Sequence, residues 1–204
     1  RGVARTAPFS PWSFGYYLSQ ALPLICLGEL FFLAFFFSRE ERLLRPLTQA
    51  TPIRQRRYAA LRCGAVLTAT LVLCLCTATL AVGFYVSLFG WVDYGELILP
   101  ALLTLIPPIV FCLGAGMMLS RFNHTLIYAL MAAVILLTVL PLPPAISFSL
   151  SGFFSQFPLT VEKLDPAFHV PGWLAIHQIS LTVLGAFLAV FAVNVQRNSS
   201  CQTM

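Results

Sequence analysis

Hydrophobic positions in this chain fall in long, nearly unbroken runs rather than in the period-2 or period-3.6 alternation of a half-buried strand or surface helix. Five runs stand out, Phe14 to Phe37, Cys63 to Gly90, Leu97 to Leu119, Leu126 to Leu150 and Trp173 to Val195. Each supplies about 20 or more mostly apolar residues, enough to cross about 30 Å of hydrocarbon at about 1.5 Å of rise per residue. A typical soluble core helix has about 11 to 12 residues, so the excess apolar surface is expected to face lipid. The pattern predicts an all-α, polytopic transmembrane helix bundle. With no internal repeat, low-complexity linker or soluble domain, residues 1–204 read as a single transmembrane domain.

The polar segments between the runs set an orientation. Residues 38–62 carry Arg39, Arg42, Arg45, Arg54, Arg56, Arg57 and Arg62 against Glu40 and Glu41, the charge bias of a cytoplasmic loop. Alternation then places Trp91 to Glu96 outside, Arg121 in a short inner turn, the loop 151–172 outside and the C-terminus inside. Trp12, Tyr16, Tyr17, Trp91, Tyr94 and Trp173 fall where an interfacial aromatic belt is expected. Pro141, Pro143, Pro144, Pro158, Pro166 and Pro171 make the stretch before the last run too proline-rich for one straight helix. Short apolar helices dipping into the outer leaflet are expected there.

Composition agrees, with 59% hydrophobic and only 9% charged residues. The net charge of +5 does not indicate nucleic acid, because Lys163 is the sole lysine and most arginines crowd into one loop. Cys26, Cys63, Cys74, Cys76, Cys112 and Cys201 lack paired CxxC spacing and read as small buried hydrophobes, with no disulfide framework, metal site or cofactor expected. His124, His169 and His177 show no zinc spacing. The acceptor-like triplets beginning at Asn123 and Asn198 fall on the expected inner side and read as chance matches.

Within the inner loop, Ser38 with Glu41 three residues on forms a capping box, and Leu43, Leu47 and Ala50 follow at helical spacing among arginines. A short amphipathic interfacial helix ending near Pro52 is expected. This order of apolar span, Ser-Arg-Glu-Glu turn, amphipathic piece and Thr51-Pro52-Ile53 step before basic residues resembles the ABC-2 family of transporter permeases. The proline-rich outer region also resembles that family's re-entrant outer helices. The resemblance covers most of the chain in layout, but in specific residues only about 38–62.

The resemblance implies the membrane subunit of an ATP-driven exporter, multi-pass in the cell membrane. Its partners would be a separate ATP-binding cassette subunit, membrane lipids, and a second copy or second permease. Arg39, Glu40, Glu41, Arg42, Leu43, Leu47, Pro52, Ile53 and Arg54 would form its ATPase-coupling segment. The family has six spans, so a span preceding residue 1 is expected. The plain alternative for the loop is a basic inner segment that grips anionic lipid.

No Gly-Lys-Ser or Gly-Lys-Thr phosphate loop is present, because Lys163 follows Glu162 in an outer loop; the chain is expected not to be an enzyme, with ATP hydrolysis on its partner. Glu29 is the one ionisable residue well inside a span, and it reads either as part of a substrate or proton path or as polar packing. Gly114, Gly116, Pro107, Pro108 and the run Ala129, Ala132, Ala133 read as helix-contact or kink positions. Three other readings compete: an ion-coupled carrier, a non-transporting scaffold, and, weakest, an intramembrane serine protease using Ser151 and His177. The last lacks the glycine expected two positions before the nucleophile.

Overall fold

In a computed structural model, residues 10–36, 55–89, 93–123, 125–140, 148–160 and 167–195 are described. They contain α1 (Pro11–Phe36), α2 (Gln55–Phe89), α3 (Gly95–Phe122), α4 (Thr125–Val139), α5 (Ser151–Thr160) and α6 (Gly172–Val195), with no strand among the described residues. Four of these helices, α1, α2, α3 and α6, are long and apolar enough to cross a membrane. The chain is therefore a helix bundle of the multi-pass membrane type.

Local chemistry fixes several ends. Pro11 opens α1, where its missing N–H costs nothing, and the Ser13 amide donates to Ser10 Oγ at 3.4 Å. In α3, Glu96 lies in the first turn and Arg121 in the last, so both charges oppose the helix dipole. Asn123 then ends α3 in an extended conformation, with its amide donating to the Leu119 carbonyl. Its Oδ1 accepts the Thr125 amide at 3.2 Å, so one side chain caps α4 and folds the two helices into a hairpin.

The expected fourth span, 126–150, is not one continuous helix. Helix α4 has 15 residues, about 22 Å of rise, and Leu140 beyond it is a bend. Leu140 precedes Pro141, whose ring disfavours helical backbone at the residue before it. Residues 141–147 lie outside the described set. Conversely, α2 begins at Gln55, eight positions before the expected Cys63. Its 35 residues rise about 52 Å, so the helix is longer than the hydrocarbon is thick.

Helices α1 and α3 form the centre. Half of the apolar window of α1 and 56% of that of α3 are buried, against 22% for α2 and 17% for α6. The outer helices bury only stripes, Val66, Thr70, Cys74, Ala81 and Tyr85 on α2 and Leu174, Gln178, Gly185 and Ala192 on α6. Such a division suits a lipid-facing ring around a packed pair.

Contacts at two levels establish the directions. Trp12 of α1, Leu103 of α3 and Leu174 of α6 share one cluster, while further along Gly116 abuts Leu30 and Leu33 and Gly114 abuts Gly185. These three helices therefore run parallel. Helix α2 is antiparallel to α1, since Phe14 meets the Tyr85 ring at 5.9 Å at one end and Arg62 reaches Phe36 at the other.

The most extensive contact is α3 with α6. A Cβ on Gly185 would lie 2.5 Å from the Val110 carbonyl oxygen and 2.6 Å from Phe111 Cα, and one on Gly114 would collide with the Gly185 backbone. The expected helix-contact role of Gly114 and Gly116 holds: at Gly114 only glycine lets the two backbones approach this closely, and at Gly116 the missing side chain makes room for Leu30 and Leu33 of α1. Of the alanine run, Ala133 is half-buried. Ala129 and Ala132 are exposed, and α4 packs through Ile127, Leu130, Met131 and Val134 instead.

Candidate functional site

Polar side chains inside the bundle divide into two groups. Ser19, Thr70, Thr104 and Ser120 are buried, and their hydroxyls donate to carbonyls three or four residues back, at Tyr16, Val66, Pro100 and Met117. Such back-bonding lets a hydroxyl sit in an apolar interior. The second group lacks this resource. Both carboxyl oxygens of Glu29, both amide atoms of Gln178 and Nδ1 of His177 are buried without a hydrogen-bond partner.

Glu29 is fully buried on α1, facing α3 and α2 rather than lipid. Cys26 lies one turn before it on the same face, and Cys112 projects from α3. The two sulfurs and a Glu29 carboxyl oxygen lie within 4.8 Å of one another. On the α2 side Gly28 admits the Leu73 side chain, a Cβ there lying 3.5 Å from Leu73 Cδ1, and buried Cys74 follows Leu73. An uncompensated charge near the centre of a membrane costs about 2.5 to 3.5 kcal/mol or more, so an orphan carboxyl at this place calls for a physical account.

Gln178 lies on α6 between Leu174, at the level of Leu103, and Gly185, at the level of Val110. Over that interval α3 carries Pro107 and Pro108, which have no N–H for the carbonyls of Leu103 and Thr104. The bundle thus carries two polar zones, one at Glu29 and one beside the paired prolines.

The third feature is apolar. Trp12 is 1% exposed, ringed by Phe153 at 5.6 Å, Phe154 at 6.4 Å, Phe157 at 5.7 Å and Phe168 at 5.0 Å. Its expected place in an interfacial belt is corrected, because α5 folds over the start of α1 and encloses it. Tyr17, Tyr94 and Trp173 remain exposed, as belt residues would be. Leu150, which leads into α5, has φ 55°, a left-handed backbone that costs a leucine about 1–2 kcal/mol. Burial among Trp12, Phe153 and Leu174 offsets that cost.

The expected coupling residues Arg39, Glu40, Glu41, Arg42, Leu43, Leu47, Pro52, Ile53 and Arg54 lie outside the described residues. Both helices that flank them are present. Arg62, near the start of α2, donates from Nη1 to the Phe36 carbonyl at 3.2 Å, satisfying a C-terminal carbonyl of α1 with a cation. Ser151 Oγ pairs with Ser149 Oγ at 3.0 Å, while His177 Nδ1 has no partner. No hydrogen bond joins Ser151 to His177 as nucleophile and base would be joined.

Sequence spacing alone misses the Cys26, Glu29 and Cys112 group, although Cys26 and Glu29 at i and i+3 already share a helix face. Comparison with protein-family models, with curated proteins and with solved structures found no match to this chain.

Proposed function

We propose that this chain is the membrane-spanning subunit of an ATP-driven exporter, moved by a separate ATP-binding subunit that docks on residues 38–62. The observation that carries the reading is the Arg62 bond to the Phe36 carbonyl. It joins the basic start of α2 to the end of α1, the helix at the centre of the bundle, so a push on the segment between them is delivered to the interior. Two features add support. Helix α2 is long enough to stand about 20 Å beyond the hydrocarbon, and the short helix α5 precedes the last long helix, as the resemblance implies.

In this reading the arginine-bearing end faces the cytoplasm of a multi-pass cell-membrane protein. The parallel course of α1, α3 and α6, with α2 opposed, fits that alternation. The test is purification of the full chain from its own membranes in nanodiscs, with identification of bound proteins and an ATPase assay. A stoichiometric ATPase that is lost on changing Arg39, Arg42 and Arg54 to alanine is the expected result. Isolation of the chain without any ATPase would end the proposal.

Glu29 favours a second reading, an ion-coupled carrier, because a buried carboxyl can carry a proton or cation. Transport that collapses with a protonophore and ignores ATP would select it.

A further inference from the structure

We propose that Cys26, Glu29 and Cys112 form an intramembrane binding site for a thiophilic divalent d10 cation, with Zn2+ as the physiological occupant. This goes beyond the exporter reading and does not depend on it.

The donor set comes from two helices packed in fixed register. Cys26 and Glu29 lie one turn apart on α1, and Cys112 faces them from α3, with Gly116 next to it admitting Leu30 and Leu33. All three donors are fully buried, and the three ligand atoms already lie within 4.8 Å of one another. Around a tetrahedral Zn2+, with Zn–S of about 2.3 Å and Zn–O of about 2.1 Å, such atoms stand about 3.6 to 3.8 Å apart. Closing that gap takes about 1 Å of side-chain adjustment and no change of helix position.

Glu29 supplies the independent sign of a ligand. Both its oxygens are buried, and neither has a hydrogen-bond partner. Thr70, the buried hydroxyl of α2, does not serve it either, since it donates to the Val66 carbonyl of its own helix. A cation held between Glu29 and two sulfurs gives the carboxyl the partner it lacks.

Charge and softness select the ion. On binding, the thiols of Cys26 and Cys112 each lose their S–H proton to solvent and the two thiolates cancel the charge of a divalent ion, while Glu29 keeps its proton and donates through its carbonyl oxygen, so the apolar interior holds no net charge. Sulfur donors favour Zn2+ or Cd2+ over Mg2+ or Ca2+, which take oxygen. A bound ion would tie α1 to α3 at the centre of the bundle.

The test uses the full chain, reduced and metal-free in nanodiscs, with Cys63, Cys76 and Cys201 changed to serine. Cd2+ titration is followed by its thiolate charge-transfer absorption, and Zn2+ competition by release of that band. One Cd2+ per chain is expected, displaced by Zn2+, with at least tenfold weaker binding in Cys26→Ser and in Cys112→Ser. Glu29→Gln should keep the two-thiolate band with lower affinity. In unsubstituted protein, Zn2+ should raise the Tm and Mg2+ should not, a readout that needs no variant to fold. Absence of the band together with no Zn2+-dependent Tm rise overturns the proposal, as does a band unchanged in the Cys26→Ser, Cys112→Ser double variant.

Discussion

The two ends of α1 are packed by opposite means. At Trp12 the helix start is closed by aromatic rings in contact with one another, with Phe154 drawn so close to Gly15 that a methyl group there would enter the ring. About two turns before its other end, the same helix carries a carboxyl with no hydrogen-bond partner and two thiols for neighbours. The first region contributes stability through contact area and ring geometry. The second lowers stability, and a protein keeps such a group where it is used. The contrast divides the bundle into an aromatic, sealed end and a polar interior around Glu29.

The sharpest way to break that contrast is Trp12→Ala, expected to cost about 3–5 kcal/mol in reversible unfolding from detergent, because α5 loses the ring it folds over. Gly15→Ala is expected to cost about 1–3 kcal/mol, since Phe154 is held between Trp12 and Phe168 and cannot turn aside freely. Glu29→Met should have the opposite sign. In metal-free protein the same unfolding experiment should show a gain of about 1–2 kcal/mol from removal of an unsatisfied buried group. Loss of stability there would mean that Glu29 has a protein partner and that the polar interior is ordinary packing. The smallest effect belongs to Arg62→Met, about 0.5–1 kcal/mol for one charged hydrogen bond at a helix end. If the coupling proposal holds, it should uncouple ATP hydrolysis from transport far more than it destabilises.

Much of the fold was legible along the chain. Long apolar runs mark α1, α3 and α6 to within a few residues, because length and hydropathy are local properties. The early start of α2 was hidden, since Arg56 and Arg57 look like loop although a basic turn can extend a helix past the membrane surface. The stop of α4 could have been read from Pro141, but the apolar residues beyond it mask the signal. Burial of Trp12 could not be read at all, because an interfacial tryptophan and an enclosed one have the same neighbours in sequence. The site was half legible: Cys26 and Glu29 share a face by spacing, while Cys112 joins them only through the register of α1 against α3.

The bare backbone contact between Gly114 and Gly185 also limits how the molecule can deform. Side chains that interdigitate can exchange rotamers as helices slide, but two main chains in contact have no such slack. Helices α3 and α6 are therefore expected to travel as one solid piece, with α1 seated on α3 beside them. If the exporter proposal holds, opening is expected to be concentrated in α2 and α4, which touch this piece along narrower seams. Viewed as a set of linkages, the bundle has a frame of three helices and two looser members, α2 and α4, with α2 pinned to the frame where Arg62 meets Phe36.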